Sequence, residues 1–249
     1  MDIKNPIIKI ILFLSLCIIN ISNTYCQNNN IAPLYSLFDN SIEKENLEIN
    51  NGVLFIDTYN TYKKSNRYFE NDLYNDGTVF YNNQLYTNML LKYDIYKDEL
   101  IKKMDGKTNF MGINLIKDKI DFFYINNKKF VNLNKLQVIK PKFIDGFYEE
   151  LVLSRNFILY TKYHKEKIDL ISNDSVLIDF QEKDKYVIFY KLIFFEIESK
   201  KDLTSIFPNY ESKINDYYFL NQQKVDNNKN IFMQNLMRYI NQNLILENN

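Results

Sequence analysis

The sequence predicts an α+β protein that is mainly β, a curved antiparallel sheet or meander with C-terminal helices packed on one face. Three observations carry this. Residues 85–95 alternate with period two, Leu85, Thr87, Met89, Leu91, Tyr93 and Ile95 against Asn88, Lys92 and Asp94, which marks a strand buried on one side. Short apolar runs of the same kind recur between turn dipeptides from Gly52 to Phe195. The end of the chain changes period: Phe232, Leu236, Tyr239, Ile240 and Leu244 form an i, i+4, i+7, i+8, i+12 stripe, with Gln234, Asn235, Arg238 and Gln242 on the polar side of a helix.

The elements follow in chain order. Residues 1–26 have the order of a secretory signal, with Lys4 and Lys9, an interrupted apolar run from Ile7 to Ile21, and Thr24 and Cys26 at −3 and −1 before Gln27. That run falls short of the about 20 apolar residues a membrane span needs, so the mature chain is expected to be exported without a transmembrane span. Neither Cys17 after Leu16 nor Cys26 after Tyr25 sits in a good lipobox, and cleavage after Cys26 removes both cysteines. The mature chain then holds no thiol, disulfide or thiolate metal site.

Residues 27–198 are expected to form the β domain. Val53–Tyr59 is a candidate strand, Asn75-Asp76-Gly77 a turn, and Thr78–Tyr81 the start of a hairpin with its tip at Asn82-Asn83. Glu99–Met104, Phe110–Ile116, Lys119–Ile125 and Lys129–Leu136 continue the meander, with bends at Asp105-Gly106, Lys117-Asp118 and Asn126-Asn127. Gly146 opens a further pair, Phe147–Leu153 and Phe157–Tyr163. Tyr186–Phe195 has Lys191 as its one charge and reads as a single strand covered on both faces. Residues 199–249 supply the cover. Ser199 with Asp202 has the form of a capping box, Pro208 ends that turn, and Asn209 is placed to cap a helix carrying Tyr210, Ile214 and Tyr218. An outer-membrane barrel would instead show alternating strands of about ten residues throughout and end on a strand.

Charge and chemistry exclude several classes. The chain has 31 Lys and Arg against 31 Asp and Glu, so no basic field exists to draw nucleic acid. Its one histidine, His164, lies among charged neighbours and reads as a solvated loop residue. One His and no mature Cys leave a serine triad, a zinc site and a Cys/His dyad short of parts. There is no phosphate-binding glycine loop, and no cofactor or metal is expected. A calcium loop counted from Asp72 fails at Tyr74 and Asn83. The pairs Asp98-Glu99 and Glu149-Glu150 point to opposite faces of a strand and read as solvated carboxylates. Tyr81, Tyr86, Tyr93, Tyr148 and Tyr160 are the candidate binding residues, able to line a concave sheet face, with core packing as the plainer reading.

Gly77 with Tyr81 and Tyr86, Leu91-x-Tyr93-Asp94, Gly146-Phe147-Tyr148-Glu149 and the Phe207-Pro208 break form a pattern. It resembles a group of uncharacterised exported proteins common in Bacteroidetes-type Gram-negative bacteria. The resemblance implies export to the envelope and a β-rich fold with a helical tail, and it carries no catalytic residue. The expected function is therefore a non-catalytic protein of the periplasm or outer membrane that binds an envelope partner or a hydrophobic ligand. The alternatives are a carboxylate-dependent hydrolase of envelope polysaccharide and an adhesin or assembly subunit.

Overall fold

A computed structural model describes residues 47–104, 111–136, 140–154, 157–172, 175–221 and 228–247. The signal-peptide reading and the Asp105-Gly106 bend lie outside these residues. Among the described residues there are thirteen strands: β1 Val53–Ile56, β2 Asn75–Tyr81, β3 Gln84–Asp94, β4 Glu99–Lys103, β5 Met111–Asn114, β6 Ile120–Ile125, β7 Lys128–Asn132, β8 Phe147–Ser154, β9 Phe157–Lys162, β10 Lys165–Ser172, β11 Ser175–Glu182, β12 Lys185–Tyr190 and β13 Ile193–Ile197. Three α-helices follow, α1 Lys200–Ile206, α2 Glu211–Leu220 and α3 Lys229–Glu247. Eleven strands form one open antiparallel sheet in the order β1-β5-β4-β3-β2-β6-β7-β8-β9-β12-β13. The mainly β fold with C-terminal helices on the sheet is as the sequence predicts. No described helix is long and apolar enough to cross a membrane.

The meander expectation needs one correction. Strands β2 to β5 run outward in order, but residues 115–119 then carry the chain back to the free edge of β2, where β6 pairs. A second break comes at β10 and β11, which leave the sheet as a separate hairpin before β12 returns to β9. The sequence expectations contain no such hairpin, although Ile168 and Leu170 on one arm and Ile178 and Phe180 on the other alternate with polar residues.

Hairpin tips explain much of the rest. Asn82-Asn83 and Asn126-Asn127 hold φ of 47° and 64° and of 50° and 61°, the left-handed pair that a two-residue turn matching strand twist requires. Lys191-Leu192 does the same at 49° and 67°. The expected single strand Tyr186–Phe195 is therefore two strands, and its lone charge marks the tip.

Asn75-Asp76-Gly77, expected as a turn, is strand. A Cβ on Gly77 would stand 2.5 Å from the Tyr124 carbonyl oxygen and 2.7 Å from Leu91 Cδ1, so the glycine allows β2 to fit between β3 and β6. The alternation in β3 also breaks. Between the pairs Gly77–Met89 and Val79–Tyr86, β3 spends one residue more than β2, and Asn88 takes φ +55°. The bulge reverses parity, so Tyr86 is buried with Leu91 and Tyr93, and Leu85 and Thr87 are not on their face as expected.

Lys92 and Asp94, expected on the outer face of β3, are buried. The segment 57–74 folds over them. Arg67 Nε lies 2.7 Å from Asp94 Oδ2, Lys92 Nζ lies 2.5 Å from Asp72 Oδ1, and both cations sit over the Tyr68 ring. Charge on one face of a strand marks solvent only when no other chain segment brings partners, and this one does.

Four apolar clusters lie among the described residues, the smallest of them Phe55, Tyr68 and Ile101. Under β2–β8, Phe123 stacks on Phe130 at 4.9 Å, and Tyr93 meets both rings edge-on. Between the sheet and the helices, Phe157, Leu159, Tyr186 and Ile188 pack against Leu203, Phe207, Phe232, Leu236 and Ile240. On the opposite face Tyr148, Tyr160, Val187 and Phe194 meet Leu133 and Ile144. The β12–β13 hairpin is thus covered on both faces, as its composition demands. Asp202 Oδ2 accepts from Ser199 N at 2.8 Å and Ser199 Oγ at 2.9 Å, so the expected capping box forms. Asn209 does not cap α2: it lies inside a 3-10 turn, Pro208–Tyr210, and Tyr210 is the residue before the helix.

Candidate functional site

The structure does not bring the five candidate tyrosines together. Tyr81, Tyr86 and Tyr93 belong to the cluster under β2–β8, and Tyr148 and Tyr160 to the one against β12 and β13. All five are at most 4% exposed, which leaves no face to receive a ligand. The plainer reading, core packing in a chain without tryptophan, holds for them.

Glu149 and Glu150 do split to opposite faces of β8, but they are not solvated. Glu150 takes Lys129 Nζ at 2.6 Å. Glu149 is 8% exposed, and its Oε2 accepts from Tyr163 Oη at 2.6 Å and Lys128 Nζ at 3.3 Å. Asp98 sits in the β3–β4 turn, where Oδ2 meets Lys117 Nζ at 2.5 Å and Lys162 Nζ at 2.7 Å, and Oδ1 accepts from Tyr93 Oη at 2.6 Å. The two lysines hold its carboxyl below the ordinary value against the opposing effect of burial, and burial in turn lowers Lys162. Asp98 is a structural staple. Gly146, at φ +78°, passes so close that a Cβ there would stand 1.8 Å from Asp98 Oδ2.

Glu149 belongs to something else. A cleft of about 990 Å³ opens above it, bounded by the ends of β10–β13, by Phe69 and Glu70, and by the first turns of α3. Lys128, Tyr163 and Gln234 form part of its lining. Lys128 Nζ donates to Tyr163 Oη at 2.7 Å, and Gln234 Nε2 reaches the Glu149 carboxylate at 3.4–3.5 Å. Burial first, then the Glu149 charge, pushes the Tyr163 phenol far up, so it stays a neutral donor to Glu149.

A second group lines the cleft beside α3. Asp184 Oδ1 accepts from the His164 backbone N–H at 3.0 Å and Oδ2 from Asn230 Nδ2 at 2.7 Å, while Tyr186 Oη donates to Asn230 Oδ1 at 2.6 Å. Burial raises the Asp184 carboxyl above its ordinary value, and the Asn230 and His164 donors oppose the rise. His164 is half-buried, and its Nδ1 lies 3.2 Å from the Ile95 carbonyl oxygen, so it is a junction residue rather than a solvated loop histidine.

Of the residues lining or directly behind the cleft, the sequence singled out Glu149, as half of a pair, His164, as a loop histidine, and Gln234, as polar helix surface. Asp184, Lys128, Tyr163 and Asn230 were missed. The signal available for Asn230 and Gln234 was their i, i+4 spacing on a helix whose other side is apolar. No group of His, Cys, Asp and Glu among the described residues is placed to hold a metal ion. Comparison with protein families, curated proteins and solved structures finds no match to this chain.

Proposed function

We propose that the chain is an exported, non-catalytic binding protein of the cell envelope, and that the cleft between α3 and the ends of β10–β13 is its ligand seat. The observation that carries the reading is the way Glu149 and Asp184 are held. Glu149 is fixed by Tyr163, Lys128 and Gln234, and Asp184 by Asn230 and the His164 amide. A cavity of ligand size with a few converging polar groups is the usual form of a binding site. Carboxylates locked into hydrogen bonds from several elements recognise polar groups and are poorly free to shuttle protons. The cleft lining is charged, with Glu166, Glu182, Glu196 and Glu198 at its rim, and Phe69 and Tyr186 expose almost none of their rings. A polar ligand fits this seat better than a hydrophobic one. Export rests on the order of charge and apolarity in residues 1–26.

A second reading, hydrolysis of envelope polysaccharide, is favoured by one observation: Asp184, raised by burial, shares the cleft with other carboxylates from different strands. One experiment separates the two. Soluble envelope peptides and oligosaccharides are titrated calorimetrically against the purified full chain, and the same mixtures are then analysed by chromatography. The binding reading expects heat of binding with the fragment recovered intact. Shortened fragments would establish the hydrolase, and no heat from any fragment would remove the seat.

A further inference from the structure

The cleft carries a cation, Lys128, and an anion, Asp184, that are not paired with each other and mark its two poles. At one pole, Lys128 donates to Tyr163 Oη and to Glu149 Oε2, which accounts for two of an ammonium's three N–H groups. At the other, each Asp184 oxygen accepts one hydrogen bond, from His164 N and from Asn230 Nδ2, and each keeps a lone pair. Among the described residues no ion pair joins Lys128 to Asp184; the partner of Lys128 is Glu149.

Two elements hold the poles apart. Asn230, on Asp184, and Gln234, on Glu149, stand four residues apart on α3, so they lie on one face about one turn, or 5.4 Å, apart. From the sheet side, the adjacent residues Tyr163 and His164 repeat the same division, Tyr163 holding the Lys128 pole and His164 the Asp184 pole.

We infer that the cleft takes a small zwitterionic ligand, an amino acid or a short peptide with both termini free, its carboxylate on Lys128 and its ammonium on Asp184. This rests on the cleft being the ligand seat. A ligand bearing only negative charge would face the rim carboxylates Glu166, Glu182, Glu196 and Glu198, and one bearing only positive charge would face Lys128, Lys183, Lys185 and Lys229. A ligand carrying both charges meets each pole with its complement. With about 2.8 Å of ion-pair contact at each end, either a single residue or two extended residues reaching about 7 Å can span the turn between the poles.

The test is calorimetry on the full chain with L-alanyl-L-alanine, its N-acetyl form, its C-terminal amide, free L-alanine and N,N′-diacetylchitobiose. The free dipeptide and free alanine, which carry both charges, are expected to bind, with each blocked form of the dipeptide at least tenfold weaker. In Lys128→Met the dipeptide and its amide should bind alike, and in Asp184→Asn the dipeptide and its N-acetyl form should, with both variants still folded by thermal unfolding. Blocked forms that bind as well as the free dipeptide would overturn the inference. Binding of the disaccharide but not the dipeptide would also overturn it while leaving the ligand seat in place. If neither probe binds the wild-type chain, this inference falls, and the wider fragment titration then decides the seat separately.

Discussion

Replacing Gly146 by alanine tests the Asp98 staple with a single methyl group. The backbone there is left-handed, at φ +78°, where a side chain costs about 1 kcal/mol. The new Cβ would stand 1.8 Å from Asp98 Oδ2, 2.6 Å from Lys117 Nζ and 2.9 Å from Lys162 Nζ, so the carboxylate and at least one ammonium must move. Asp98 is mostly buried and accepts from Tyr93 Oη, Lys117, Lys162 and the Phe147 N–H. Breaking one buried ion pair costs about 3–5 kcal/mol, and partial relaxation of the turn recovers some of that. We expect a loss of about 3–5 kcal/mol, or roughly ten degrees in Tm for a chain of this size. Urea unfolding of Gly146→Ala, Asp98→Ala and the double variant supplies the assay. The clash with Asp98 disappears in the double variant, so its cost should fall short of the sum by at least about 1 kcal/mol. A Gly146→Ala change within about 0.5 kcal/mol of wild type, a surface-like value, would refute the reasoning, as would strict additivity.

Three further outcomes follow from the same geometry. Lys191 and Leu192 hold left-handed backbone that Asn-Gly adopts readily, so changing the pair to Asn-Gly should stabilise by about 1–2 kcal/mol in thermal unfolding. Asp202→Ala removes the acceptor of the capping box and should cost about 1 kcal/mol by urea unfolding. Asp184 has a folded value raised above its ordinary 3.8, so its contribution is most favourable below about pH 4 and is lost as pH rises through the raised value. Asp184→Asn should therefore remove that arm of the stability–pH curve and leave stability at pH 7 equal or higher, while weakening ligand binding. A marked loss of stability at pH 7 would contradict the assignment of Asp184 to recognition.

The legible parts of the fold are those written in local chemistry. Asn-Asn tips, the Ser199–Asp202 cap and the stripe of α3 each use residues whose own preferences agree with their final conformation. The tip at Lys191-Leu192 was hidden because neither residue favours positive φ, and packing on both faces of the hairpin imposes it. The Asn75-Asp76-Gly77 segment misled in the opposite sense: its turn chemistry is overridden by close approach between three strands. Buried charge was the least legible feature. The side-chain partners of Lys92, Asp94, Asp98 and Glu149 come from 5 to 85 residues away in the chain, and no periodicity in one strand reports them. The cleft shares this difficulty, since Lys128, Tyr163, Asp184 and Asn230 converge from four separate elements.

The claim that this cleft is the ligand seat is tested most directly by two-dimensional amide NMR of the ¹⁵N-labelled protein as the dipeptide is added. The side-chain amides of Asn230 and Gln234 sit at the two poles and report on them separately. The account predicts that both shift together and saturate, with the backbone amides of His164 and Asp184, while β1 and β5 stay unchanged. Saturable shifts confined to any other surface, with Asn230 and Gln234 still in place, would contradict it.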